Sequence, residues 1–130
     1  MSNTHLALII EDHEDYNMIF TKALQLAGYE TESILDGDAA QARLAEVVPE
    51  IVILDLHIPN VNGDTILRQI RGDQRLRNMR VVLATADAAR AAALETQADL
   101  VLLKPISFAQ LNQLAERYFN HPKTSPQKSR

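Results

Sequence analysis

The sequence contains no cysteine, which narrows the classes of protein to which the chain can belong. Without cysteine there is no disulfide scaffold, no thiolate metal site and no cysteine nucleophile. The chain also lacks a strong charge of one sign. Its net charge is −4 over 130 residues, which gives no electrostatic footprint for nucleic acid or an anionic membrane.

Long apolar runs are missing as well, and the longest run in the sequence is too short to cross a bilayer. The first ten residues, MSNTHLALII, lack the basic region and the cleavage site of a signal peptide. With 46% hydrophobic residues, we expect a soluble, cytoplasmic domain with no membrane insertion. This domain is expected to occupy 1–120, and the polar, basic stretch 121–130 to be a disordered tail or linker.

Short apolar segments alternate with amphipathic ones along the chain. The apolar segments predict four strands, at 6–10, 51–55, 80–85 and 99–103, and the alternating segment YETESIL predicts an edge strand at 29–35. The amphipathic segments predict five helices, at 14–27, 39–47, 63–72, 87–96 and after Ser107. The last helix is expected to turn Phe108, Leu111, Ala115 and Tyr118 inward.

This alternation predicts an α/β fold, a doubly wound five-stranded parallel sheet of order 2-1-3-4-5 with helices on both faces. A closed eight-unit barrel would need roughly twice the length. In an open sheet of this type, ligands bind beyond the carboxyl ends of the strands, where the strand order reverses. Polar or charged residues stand at or just after four of these ends, namely Glu11, Asp12, Asp55, Thr85 and Lys104.

Strands one and three are neighbours at the reversal point, so the three carboxylates are expected to converge. Converging carboxylates repel one another, and a hard divalent cation such as Mg²⁺ resolves the conflict. Lys104 adds a positive point charge and Thr85 a hydroxyl donor, which together suit a phosphoryl group. Asp55 then becomes the candidate nucleophile, through an aspartyl phosphate.

Four motifs contain these strand ends, and in chain order they are LALIIEDHED, IVILDLHIPNVNG, VVLATA and LVLLKP. They resemble the receiver domains of two-component response regulators, and the resemblance covers roughly Leu6 to Tyr118. The resemblance implies a flavodoxin-like fold and a phosphoacceptor in a phosphorelay. Such a module takes a phosphoryl group from a histidine kinase or a phosphotransfer protein and catalyses only its own phosphorylation and dephosphorylation. It signals through protein contacts, here with an unknown downstream protein.

The resemblance also implies a role for each site residue. Asp55 would accept the phosphoryl group, and Thr85 and Lys104 would bind its oxygens. The expected ligands of Mg²⁺ are Glu11, Asp12, Asp55 and the backbone carbonyl of His57. The side chains of His57 and Asp87 would tune the rate at which the phosphate is lost. The residues expected to shape the loops are Pro59, Gly63 and Pro105, the last after a cis peptide bond.

One position departs from the family pattern. Three residues before the lysine the family usually carries Tyr or Phe, and this chain has Val101. A β-branched valine has few rotamers and no ring to swing. The usual route from the phosphate to the outer face of strand five is therefore in doubt. The charge pattern with which DNA-binding members dimerise is also absent, so we expect a monomer or weak dimer with no direct nucleic-acid contact.

Other interpretations of these residues stay open at this point. Glu11 and Asp12 also fit an acidic cluster at a helix N-terminus, and Lys104 a solvated surface lysine. A phosphatase of the haloacid dehalogenase type would carry its nucleophile after strand one with a second Asp two residues later, unlike the adjacent pair found here. A pseudo-receiver that only binds partners is a third possibility, supported by Val101.

Overall fold

Strands and helices alternate along the chain in the computed structural model, which describes residues 5–123. The strands are β1 Leu6–Ile10, β2 Glu30–Ile34, β3 Ile51–Leu54, β4 Arg80–Thr85 and β5 Leu100–Leu103. The α-helices are α1 Glu14–Ala27, α2 Gly37–Leu44, α3 Gly63–Gly72, α4 Ala88–Leu94 and α5 Phe108–Asn120. Short 3₁₀ turns follow α3 at Gln74–Leu76 and α4 at Glu95–Gln97. Most of the predicted tail, 121–130, lies outside the described residues.

The five strands form one parallel sheet of order β2-β1-β3-β4-β5, which confirms the predicted topology. Ile10 of β1 pairs with Leu54 of β3, and Leu54 pairs with Leu83 of β4. The carboxyl ends of these three central strands are therefore aligned at one edge of the sheet.

Apolar side chains cover both faces of the sheet. In β1, Ala7 and Ile9 pack on the face that also carries Phe20 of α1, whereas Leu8 and Ile10 pack on the opposite face. These four residues of β1 have no exposed surface. This alternation follows from the two-residue period of a strand, and burial on both faces explains why β1 and β3 are continuous apolar runs.

Local side chains explain where several helices begin and end. Gly28 closes α1 with a φ of 121°, a left-handed conformation that favours glycine. Ser107 caps α5 by accepting from the Gln110 N–H at 3.0 Å. Asp36 accepts from the Ala39 N–H at 2.8 Å, so α2 begins at Gly37 and not at the predicted residue 39. The helix ends at Leu44, three residues before the predicted end at 47.

The predicted inward position of Phe108 is wrong, because this side chain is 38% exposed. A helical side chain covers the turn on the N-terminal side of its own Cα, and the first residue of α5 has no such turn. Leu111 and Ala115 of the same predicted face are buried. Among the described residues, no helix is both long and apolar enough to cross a membrane.

Candidate functional site

Three carboxylates meet at the carboxyl edge of the sheet. One oxygen from each of Glu11, Asp12 and Asp55 lies within 4.8 Å of the others. Glu11 is 1% and Asp55 5% exposed, whereas Asp12 is open to solvent. Two of the three carboxylates are thus shielded from water, and the third, Asp12, is in contact with it.

Backbone hydrogen bonds between adjacent strands hold these acids in place. The Asp55 N–H donates to the Ile10 carbonyl at 3.0 Å, although the ladder of β3 ends one residue earlier at Leu54. The Glu11 N–H donates to the Ile34 carbonyl at 3.0 Å. Each acid follows directly on a buried strand, so its backbone is held by the neighbouring strand while its side chain projects beyond the sheet.

Lys104 supplies the positive charge that faces the buried acids. Its Nζ lies 2.9 Å from Glu11 Oε1 and donates to Asp55 Oδ2 at 3.2 Å. The ammonium also lies 4.5 Å from the centre of the Tyr16 ring, a favourable cation–π distance. Burial alone would lower the pKa of Lys104, but the two carboxylates outweigh burial and raise the pKa above its ordinary value. The amine is therefore held in its charged form.

Glu11 remains incompletely compensated by this lysine. Burial raises the pKa of Glu11, and the charge of Asp55 adds to the rise, against the lowering by Lys104 and the His13 N–H. Glu11 Oε1 is buried and has the Lys104 ammonium at 2.9 Å as its ion-pair partner. Two buried carboxylates that share one ammonium, beside a third carboxylate, form a donor set that fits a hard divalent cation.

Thr85 ends β4 with no exposed surface. Its Oγ1 accepts from the Asp87 N–H at 3.2 Å. Within residues 5–123 its hydroxyl makes no hydrogen bond to the three acids. The Thr85 carbonyl accepts from the Lys104 N–H at 2.9 Å, which connects the ends of β4 and β5.

Two polar contacts connect the loop after β3 and the first turn of α3 to the start of α4. His57 Nε2 lies 2.7 Å from Asp87 Oδ2, and Arg90 forms an ion pair with Asp64. The pKa of Asp87 is lowered mainly by the hydrogen bond from the Arg90 N–H and to a smaller extent by His57. The His57 N–H also donates to Asp55 Oδ1 at 3.2 Å. The loop therefore contacts both the central acid and the first turn of α4.

The loop after β3 has a tightly specified backbone. A Cβ added to Gly63 would lie 2.2 Å from the Asp55 carbonyl oxygen, so no other residue fits there without moving the backbone of Asp55. The Pro59 carbonyl accepts from the Gly37 N–H at 2.9 Å, which joins this loop to α2. Asn60 has a φ of 76°, a left-handed conformation that asparagine tolerates. The peptide bond between Lys104 and Pro105 is cis.

Val101 lies beside an open groove between α4 and β5, with a volume of about 430 Å³. Small and apolar side chains line most of it, with Glu95 and Asp99 among the lining residues. Val101 itself is half-buried against the core on the α4 side of the sheet.

Sequence reasoning missed two residues that contact the site. Tyr16 lies under the Lys104 ammonium, and Asn17 donates from Nδ2 to the Glu11 carbonyl at 2.8 Å. Asn17 could have been noticed as a polar residue in register with Phe20 and Leu24 on the inward face of α1. Its hydrogen-bond partner, however, could not be known before the packing of α1 on the sheet.

Comparisons with known proteins agree with this geometry. Residues 7–116 match the family model described as the response regulator receiver domain. The phosphate regulon transcriptional regulatory protein PhoB of Rhizobium meliloti is 32% identical over 79% of this chain, and the match spans 47% of that protein. The chain thus spans about half the length of this curated relative.

Solved structures are similar over nearly the whole chain. The receiver domain of a signal transduction histidine kinase from Syntrophus aciditrophicus is 26% identical, with a TM-score of 0.80 over 95% of this chain and 96% of that one. The receiver domain of a Pseudomonas aeruginosa sensor histidine kinase, with a magnesium ion coordinated in its active site cleft, has a TM-score of 0.78 at 21% identity over 91% and 99% of the two chains. The family match over most of the chain, on a sheet of the expected order, confirms the resemblance: this chain belongs to the response regulator receiver domain family.

Proposed function

We propose that this chain accepts a phosphoryl group on Asp55 from a histidine kinase or a phosphotransfer protein. The observation that carries the proposal is the position of Asp55, buried at the carboxyl edge of the sheet with Lys104 at 3.2 Å and two further carboxylates within 4.8 Å. A carboxylate that serves only to cap a turn does not need this surrounding set of acids and counter-charge.

In the proposed transfer, an Asp55 carboxylate oxygen forms a bond to phosphorus while the bond from phosphorus to the donor's histidine nitrogen breaks. The histidine nitrogen keeps the electron pair of that bond. Lys104 donates to Asp55 Oδ2 before transfer and would donate to a phosphoryl oxygen afterwards. Thr85 would turn its hydroxyl, which now accepts from the Asp87 N–H, toward the phosphoryl group.

Glu11, Asp12, Asp55 and the His57 carbonyl are the proposed Mg²⁺ ligands. The three carboxylates are close enough to share one cation. His57 lies next to them, because its N–H donates to Asp55. When bound, Mg²⁺ neutralises charge on the carboxylates and on the phosphoryl oxygens. A solved relative by fold, the Pseudomonas receiver domain, has magnesium in its active site cleft.

His57 and Asp87 are proposed to tune how long the phosphate persists. Their side chains contact each other at 2.7 Å above the site, and the His57 imidazole is 59% exposed. A paired histidine and carboxylate at this place restrict the approach of water to Asp55. Pro59, Gly63 and Pro105 would keep the surrounding loops in the shape that this site requires.

We propose that the signal leaves through protein contacts with an unknown downstream partner. The His57–Asp87 and Asp64–Arg90 contacts connect the segment that follows Asp55 to α4. In a chain with Val101 in place of the usual aromatic residue, the signal would pass to α4 through these contacts. A monomer or weak dimer, a cytoplasmic location and a receiver domain of residues 1–120 belong to the same proposal. We also propose that the chain does not bind nucleic acid directly. The relative is a transcriptional regulator about twice as long as the match, so the match does not extend DNA binding to this chain.

The experiment is intact mass spectrometry after incubation with Mg²⁺ and a small phosphodonor. We expect one phosphoryl adduct that requires Mg²⁺, is labile to base and hydroxylamine, and is absent from Asp55→Asn. Asp36→Asn is the matched control, because Asp36 also follows a strand but caps α2, and its asparagine keeps the capping oxygen. An adduct that persists in Asp55→Asn would move the nucleophile elsewhere, and no adduct on the wild type would favour a pseudo-receiver.

A further inference from the structure

Asn17 is a buried polar side chain to which the proposed chemistry assigns no role. It is 6% exposed, on the face of α1 that packs against the sheet. Its Nδ2 donates to the Glu11 carbonyl at 2.8 Å and to the Ile9 carbonyl at 3.4 Å. Its Oδ1 accepts from Ser33 Oγ at 2.6 Å and from Thr21 Oγ1 at 3.2 Å. A buried asparagine in an otherwise apolar face, with every polar group paired, has a specific structural task.

The backbone carbonyls of Glu11 and Ile9 determine which way the Asn17 amide faces, because they can only accept hydrogen bonds. If the amide were rotated by half a turn, its oxygen would meet these two carbonyl oxygens, and three acceptors would face one another without a proton. In the observed orientation both hydroxyls donate to the oxygen, and the amide N–H groups point at β1. The donor to the Glu11 carbonyl is therefore held in one orientation by the two backbone carbonyls, and the hydroxyls of Thr21 and Ser33 support the amide oxygen.

The Glu11 carbonyl belongs to the peptide unit that joins the two acidic residues. A peptide unit is planar, so fixing this carbonyl also fixes the direction in which the chain enters Asp12. The N–H of Glu11 is held independently by the Ile34 carbonyl at 3.0 Å. With both backbone groups of Glu11 paired, its side chain is directed toward Lys104 and Asp55.

We propose that Asn17 is a positioning residue that holds the peptide between Glu11 and Asp12 so that both carboxylates can share one cation with Asp55. The inference rests on the proposed function, because it concerns the affinity of the site for Mg²⁺. Asn17 does not contact the cation or the phosphoryl group itself. Loss of a partner that orients a metal ligand typically weakens metal binding about 10- to 100-fold.

The test is calorimetric titration of the metal-free full chain with Mg²⁺ alone. Asn17→Leu has a similar volume and cannot donate to the Glu11 carbonyl, so we expect its Mg²⁺ affinity to fall by at least about tenfold. Ser33→Ala is the matched control: it removes one hydrogen bond from the same buried network and leaves the donor to Glu11 in place. We expect this control to unfold at a lower temperature but to bind Mg²⁺ nearly as tightly as the wild type.

A second measurement separates positioning from general loosening. At saturating Mg²⁺, Asn17→Leu should recover the wild-type level of phosphoryl adduct, because Asp55 and Lys104 are untouched. If Asn17→Leu does not fold, as judged by circular dichroism, the smaller polar variant Asn17→Ser takes its place. Equal Mg²⁺ affinity in Asn17→Leu and the wild type, or an equal loss in Ser33→Ala, would overturn the inference. A wild type that binds no Mg²⁺ would instead contradict the proposed function.

Discussion

The two ends of the sheet compensate acidic side chains in opposite ways. At the carboxyl end, Glu11 and Asp55 share the single ammonium of Lys104, and Asp12 lies beside them. At the amino end, one acid, Asp99, faces several donors. Its Oδ2 accepts from Arg71 at 2.9 Å and from the Val81 N–H at 2.7 Å, and its Oδ1 accepts from Lys123 at 2.8 Å.

The directions of the pKa shifts reflect this difference. Burial is the largest influence on both Glu11 and Asp99. For Glu11 the opposing charges are too few, so its pKa is raised. For Asp99 the donors from Lys123, Val81 and Arg71 outweigh burial, so its pKa is lowered. Full compensation stabilises the folded chain, whereas partial compensation leaves a site that favours binding of a further cation.

The largest expected effect comes from breaking the compensated end. Asp99→Asn should lower the free energy of unfolding by about 2 kcal/mol, since hydrogen bonds to charged groups contribute roughly 1.5–3 kcal/mol. The ion pair of Glu46 with Arg43 is exposed, so the control Glu46→Gln should cost less than about 1 kcal/mol. Urea denaturation at neutral pH measures both. An Asp99→Asn variant as stable as the control would contradict the contrast between the two ends.

The same variant gives a pH dependence with a definite sign. Because the folded-state pKa of Asp99 is lowered, its stabilisation is present above the ordinary value of 3.8 and is lost as the pH falls through the folded-state pKa. The wild type and Asp99→Asn should therefore converge in stability as the solution is acidified below pH 3.8.

A smaller effect of opposite sign is expected at the carboxyl end. Without metal, Asp55→Asn should be as stable as the wild type or more stable by up to about 1 kcal/mol, less than the free energy of one pKa unit. The substitution removes a like charge beside Glu11, and the asparagine oxygen can still accept from the His57 N–H. Added Mg²⁺ should raise the melting temperature of the wild type more than that of the variant. A clearly lower melting temperature of metal-free Asp55→Asn would make Asp55 a structural residue.

The smallest effect concerns the groove along β5, which extends from Ala88 and Leu103 to Asp99 and so lies between the two ends. With the acyl-phosphate mimic BeF₃⁻, amide exchange should change most in residues 86–95 and 60–64, and little in β5. Val101→Tyr should leave the phosphorylation rate nearly unaltered but alter the affinity for a partner. Changes centred on Leu100–Leu102 that exceed those in α4 would show that this face switches without an aromatic. A Val101→Tyr variant that is not phosphorylated would place residue 101 in the active site.

Much of the fold and most of the acids at the site could be predicted from the sequence. Asp55 and Glu11 directly follow apolar runs, and parallel strands bring such positions to one edge. The inward face of α5 was only partly predicted, because Phe108 has the right period but no preceding helical turn to cover. The start of α2 was also misplaced, since it depends on a cap by Asp36 that apolar periodicity does not report.

The sequence by itself determined where the strands lie, which acids follow them and which lysine follows the last strand. Apolar periodicity and chain order are local features of the chain, so they can be read without the packing. The tertiary structure alone decided how each charge is compensated. Arg71 and Lys123 reach Asp99 from 28 and 24 residues away, and Asn17 meets Ser33 from 16 residues away. Hydrogen-bond energies depend on distances of a few tenths of an ångström and on the direction of the donor. Those quantities exist only after the helices have packed on the sheet.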